Sequence, residues 1–292
     1  MTKKPSNHIQ SLKIPKLILQ TSKLISLISP KLTTLFAAKL FTIPTKHKIP
    51  KRELDMDFKS IQKLINIPVI NKKVMLYNYG ESDKKILLAH GWSGRGTQFF
   101  KIADELIKLG YSTISFDAPA HGKSPGKTTI LSDFVETILE IERQFGPFEA
   151  AVGHSLGGMS LLNSVKKRLD IKRLVIIGNG DIVQDILDDF VKKLELKPDI
   201  SEKLRLHFEK KLGEEMDNYS AYKSAMEVFI PVLVIHDKND TEVPLEAGIH
   251  IHKHLKNDEL FLTEGLGRRK ILGNQIVIEK VLQFITKTKM IF

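Results

Sequence analysis

From residue 67 onward, short apolar runs alternate with longer stretches whose apolar residues recur every three or four positions. The runs KILLAH (85–90), STISFD (112–117), FEAAVG (148–153), RLVIIG (173–178) and PVLVIH (231–236) each end in a polar residue or glycine. Continuous apolar runs of this length suit strands buried on both faces of a parallel sheet. VMLYNY (74–79) alternates instead and predicts a half-exposed strand. Periodicity near 3.6 predicts helices around 97–109, 132–145, 156–169, 244–256 and 274–288. Strands alternating with such helices predict an α/β fold with a mostly parallel, doubly wound sheet. One interval breaks the rhythm: residues 179–230, rich in Leu, Lys, Asp and Glu at helical spacing, are too long for an ordinary connection. They predict an inserted helical cap over one edge of the sheet.

Composition changes the picture at the N-terminus. The net charge is +11 over 292 residues, yet residues 1–52 contain no acid and Glu53 is the first. The rest of the chain carries equal numbers of basic and acidic side chains, so residues 53–292 lack the basic excess of a nucleic-acid-binding domain. Residues 1–52 thus form a basic arm, with Pro44 and Pro50 marking a linker at its end. Lysines interrupt it too often for a spanning helix of roughly 20 apolar residues, and Lys13, Lys16 and Lys23 break any signal-peptide core. Two readings of the arm stay open. It lies on anionic lipid as a basic amphipathic segment, or Leu24, Leu27, Ile28, Leu35 and Phe36 pack on the body while the lysines face water. The absence of Cys excludes disulfides, thiolate metal sites and a Cys nucleophile, and fits a cytoplasmic setting, peripheral to a membrane under the first reading.

In an open α/β sheet the chemistry gathers at the carboxyl ends of the strands. Those ends supply His90-Gly91-Trp92, Asp117, Gly153-His154-Ser155, Gly178-Asn179 and the loop from Asp237 to Asp240. Gly153-His154-Ser155-Leu156-Gly157 matches G-x-S-x-G between a predicted strand and a predicted helix. Its glycines permit a sharp turn with Ser155 at the apex, and the helix N-terminus favours developing negative charge. As a bland alternative the segment is only a tight turn.

With these motifs the chain resembles the α/β-hydrolase superfamily over roughly residues 67 to 290. The resemblance implies a serine hydrolase acting on a carboxylic ester or related acyl compound, with Ser155 as nucleophile. LLAHGW looks like the segment that supplies one oxyanion donor, so the donors would be the backbone amides of Trp92 and Leu156. HDKNDTEVP (236–244) is similar to the segment bearing the acid, which would be Asp240 rather than Asp237. The family pattern implies a His directly after the second glycine of GLGRRKIL (265–272), where this chain has Arg268. Arginine stays protonated at physiological pH and cannot take a serine proton. Among other imidazoles, His121 is the least implausible substitute. His250, His252 and His254 are expected on a solvated helix face, and no carboxylate completes a metal site with them. No cofactor and no metal are implied, since neither a dinucleotide fingerprint nor a phosphate-binding loop occurs. The alternative is a catalytically silent binding protein that keeps an acyl-ligand pocket under its cap.

Overall fold

The computed structural model describes residues 14–287; residues 1–13 of the arm and residues 288–292 lie outside the described residues. Eight strands form one sheet: β1 (Ile61–Ile67), β2 (Lys72–Tyr79), β3 (Lys85–Ala89), β4 (Ser112–Asp117), β5 (Ala150–His154), β6 (Leu174–Ile177), β7 (Val232–Asp237) and β8 (Asp258–Thr263). Their order is β1-β2-β4-β3-β5-β6-β7-β8, with β2 antiparallel to both neighbours and β3 to β8 parallel. The predicted apolar runs account for the central strands, and β4, β5, β6 and β7 are buried throughout. β1 had no sequence signal because it is an edge strand whose first four residues are exposed.

Twelve α-helices accompany the sheet: α1 (Lys16–Ile28), α2 (Pro30–Phe41), α3 (Leu54–Lys59), α4 (Phe100–Lys108), α5 (Leu131–Phe145), α6 (Leu156–Lys166), α7 (Val183–Lys193), α8 (Asp199–Leu212), α9 (Ala221–Ala225), α10 (Leu245–His254), α11 (Gly267–Lys270) and α12 (Gln275–Thr286), counted among the described residues. One core cluster packs α4 and α12 on one face, around Ile102, Leu106, Val281 and Phe284. A second packs α5, α6 and α10 on the other face and extends into α7 and α8. Helices α7, α8 and α9 lie between β6 and β7. From β3 the chain turns one way to β4, and from β5 it turns the other way to β6. The crevice between β3 and β5 is therefore the switch point at which such sheets bind ligands.

The arm's helices α1 and α2 pack on the insertion, with Phe41 at 5.1 Å from the Phe190 ring and 5.6 Å from that of Phe208. The side that packs is not the one expected. Leu24, Leu27, Ile28 and Leu35 are exposed and Phe36 is half-buried, whereas Ser22, Thr33, Thr34, Ala37 and Ala38 are buried. Small side chains let the two helices and α8 approach closely. Their hydroxyls are satisfied by carbonyls of the preceding turn: Ser22 to Ile18, Thr33 to Ser29 and Thr34 to Pro30.

The linker after α2 is fastened to the loops beside the switch point. The Thr45 amide donates to Ser93 Oγ at 3.0 Å, and Lys46 Nζ donates to the Ser124 carbonyl at 2.6 Å. Glu53 is buried and accepts both Arg95 Nε (2.6 Å) and Nη2 (2.7 Å), together with the Thr97 hydroxyl at 2.8 Å. Sequence reading missed this pair, because the partners lie 42 residues apart in no recognisable motif.

Candidate active site

Ser155 stands between β5 and α6 with φ 55° and ψ −124°, a region L-residues rarely occupy. The strain is enforced by crowding. A Cβ on Gly157 would lie 2.1 Å from the Ala89 carbonyl oxygen, and one on Gly91 would lie 2.7 Å from Ser155 Cβ. The loop after β3 thus abuts the serine at the switch point. Among the described residues, the amides of Trp92 and Leu156 have no protein acceptor.

Two imidazoles hold that loop. His90 Nδ1 bonds the Gly91 carbonyl at 2.7 Å and its Nε2 accepts the Ala118 amide at 2.9 Å. His121 Nε2 accepts the Ser93 amide at 2.9 Å, with Nδ1 facing the Pro119 carbonyl at 3.1 Å. A ring nitrogen that accepts an amide N–H has no lone pair left for a serine proton, which removes His121 as the substitute base. Burial pushes His90 down to about 4, and burial with the neighbouring His90 pushes His121 down to about 3. Both rings are neutral braces. Asp117 likewise serves its loop, accepting the Gly96 and Lys123 amides and the Tyr77 hydroxyl.

Asp240 Oδ1 accepts the amides of Glu242 (2.8 Å) and Val243 (3.1 Å), and its side chain is only 1% exposed. Its Oδ2 faces Arg268 Nη1 at 3.5 Å, and Arg268 Nη2 donates to Ser155 Oγ. Arg268 also bonds the Gly178 carbonyl at 3.3 Å and pairs through Nε with Glu242 at 3.4 Å, a partner with no motif to reveal it. Ser155, Arg268 and Asp240 are therefore brought together, with Arg268 touching both of the others.

Asp237 places Arg268. Its carboxylate accepts the amides of Asn239, Leu266 and Gly267 and the Thr263 hydroxyl, tying the loop after β7 to the loop after β8. Burial alone would raise the Asp237 pKa, but these donors outweigh it and hold the group below its ordinary value. His154, beside Ser155, faces the Arg268 carbonyl through Nε2 at 3.1 Å and the Gln98 side-chain amide through Nδ1 at 3.3 Å. Burial, then the Arg268 charge, push His154 down to about 3.

Above Ser155 opens a cavity of about 1270 Å³. Ile186, Phe190 and Phe208 of the insertion form part of its wall, and Ile18, Leu40 and Phe41 of the arm form its roof. His250 requires a correction. Rather than lying on a solvated face, it lines this cavity with its Nδ1 bonded to the buried carboxylate of Asp181. The α10 helix turns that side inward because the Asp181 loop and Tyr222 of α9 pack against it. His252 is paired with Asp258 at 2.5 Å. Among the described residues no cluster of three or more His, Cys, Asp or Glu side chains could hold a metal ion.

Residues 86–252 match the alpha/beta hydrolase family. The chain belongs to that family. A 2-hydroxy-6-oxononadienedioate/2-hydroxy-6-oxononatrienedioate hydrolase of Escherichia coli is 23% identical over 70% of this chain and 88% of its own. An esterase of Pyrococcus furiosus superposes with a TM-score of 0.64 at 19% identity, over 83% of this chain and 98% of that one. A bromoperoxidase of Bacillus anthracis superposes with a TM-score of 0.60 at 20% identity, over 78% of this chain and 100% of that one. At such identities the superpositions establish the hydrolase fold, and the chemistry rests on the side chains above.

Proposed function

We propose that this family member is a serine hydrolase of carboxylic esters or related acyl compounds with a bulky apolar portion, slowed by Arg268 in the position of the triad base. The observation that carries the reading is Ser155, held at positive φ between two unpartnered amides at the foot of a large apolar cavity. Ser155 Oγ attacks the acyl carbon and loses its proton to solvent water, and the amides of Trp92 and Leu156 receive the oxyanion. The protonated alcohol leaves as the carbonyl re-forms, and a second water then frees the acid and returns Ser155. Asp240 is the triad acid, which here faces a guanidinium instead of an imidazole. Arg268 balances the buried carboxylate and stabilises an alkoxide, but it offers no lone pair to take the proton. Segment 179–230 acts as the cap that shapes the acyl pocket, and residues 14–52 of the arm lie over it. An esterase among the structural neighbours supports acyl chemistry.

A second reading, a silent acyl-binding protein, is favoured by the Arg268 donor that occupies Ser155 Oγ. A fluorophosphonate probe separates the two. The hydrolase reading expects slow covalent labelling that maps to Ser155 and is lost in Ser155→Ala. An unlabelled protein that still binds a long-chain ester in the cavity would leave only the binding reading.

A further inference from the structure

The outer surface of α1 and α2 has no partner among the described residues. Leu17 (73%), Leu24 (62%), Leu27 (84%) and Ile28 (68%) of α1 are exposed, and Leu32 (51%) and Leu35 (44%) continue the patch on α2. Exposed leucines in such number on two consecutive helices are unusual for a monomer's free surface. Lys16, Lys23, Lys31 and Lys39 stand exposed among them, and no acidic residue precedes Glu53. Of these four, only Lys23 has an acidic partner among the described residues, Glu195 at 2.5 Å, and both side chains are solvent-screened.

We propose that this face docks on an anionic lipid surface, with the leucines in the acyl boundary and the lysines at the headgroups. Two observations choose the occupant. A second copy would bring two acid-free, lysine-bearing faces together, a juxtaposition that repels. The opposite sides of the same helices form the cavity roof through Ile18, Leu40 and Phe41, with Ile14 just before α1. Leu17 of the docking face is one residue from Ile18 of the roof, so docking would set the cavity roof directly against the bilayer. Basic helices with one apolar face bind interfaces by this combination of burial and charge. None of the described helices is long and apolar enough to cross the membrane, so the contact is peripheral. The docking rests on the acyl-ligand reading only for what is delivered, and binding to vesicles is measured without turnover.

The test uses the full chain sedimented with phosphatidylglycerol vesicles and, separately, with phosphatidylcholine vesicles. Binding to the anionic vesicles should be at least tenfold tighter and should fall away at high salt, where the Debye length shrinks to about 3 Å. Leu24→Glu with Leu27→Glu touches neither the cavity nor the buried side of α1, and should lower binding about tenfold or more with the melting temperature unchanged. Lys16→Glu with Lys31→Glu should do the same through charge alone, and Ser155→Ala should bind as the parent does. Sedimentation equal on both vesicle types, or unaltered in both double variants, would overturn the proposal. A concentration-dependent dimer that Leu27→Glu dissolves would overturn it in favour of a second copy.

Discussion

Arg268 and Ser155 are joined by a guanidinium-to-hydroxyl hydrogen bond, and the same guanidinium faces the carboxylate of Asp240. Asp240 and Ser155 are therefore linked through a group that can donate but not accept. An imidazole at that point would accept the serine proton and carry it to the leaving group.

Arg268→His is accordingly expected to raise turnover of a small activated ester by about 10²–10⁴, the range of a placed general base. The gain should vanish when Ser155→Ala is added and shrink with Asp240→Asn. Steady-state rates on a nitrophenyl ester measure it, and an inert Arg268→His that still folds would place the missing function elsewhere.

The pH dependence of stability follows from three neutral imidazoles. His90, His121 and His154 are held at about 4, 3 and 3, below the ordinary value near 6.5. The unfolded chain therefore takes up protons first as pH falls. Stability from these groups is complete above pH 6.5 and is lost progressively as pH falls, down to about 4 for His90 and about 3 for His121 and His154. At pH 5 each contributes a loss of about 2 kcal/mol, from 1.36 kcal/mol per unit. Denaturant midpoints between pH 7 and pH 4.5 should fall, and a flat profile would contradict the burial of all three.

Glu53→Ala should cost about 3–5 kcal/mol, because it strands Arg95 in a largely buried position and releases the Thr97 hydroxyl. Asp55→Ala, which breaks an exposed pair with Lys59, should change stability by less than about 1 kcal/mol. Urea unfolding of the two variants provides the comparison.

Phe41→Ala removes the ring packed on Phe190 and Phe208 and should cost roughly 2–3 kcal/mol, less than a fully buried Phe. Limited proteolysis should then cut first within α1 and α2. Deletion of residues 1–45 should expose the cavity wall and increase binding of a hydrophobic dye, since the arm supplies the roof.

What could be read from the chain followed local signals. The central strands carry continuous apolar runs, and the serine turn carries glycines that a close approach demands, so both were visible along the sequence. Arg268 stood out because a cation occupied a position where the resemblance implied an imidazole. The arm misled because most of the leucines of its two helices are on the outside. Helix packing through Thr33, Thr34, Ala37 and Ala38 selects small residues, which hydrophobic periodicity undervalues. The pairs Glu53–Arg95 and Asp181–His250 depend on tertiary neighbours far apart in sequence, and spacing along the chain holds no trace of them.

The position of α2 has a consequence for biosynthesis. Phe41 emerges from the ribosome long before Phe190 and Phe208, the rings it packs on. At 5–20 residues per second, α2 waits roughly 8–30 s before its docking partners are translated. During that interval a leucine- and lysine-rich hairpin is presented to the cell with both of its sides uncovered. The nascent chain thus advertises this adhesive segment well before its partners, and whatever meets the segment during translation competes directly with the closing of the cavity.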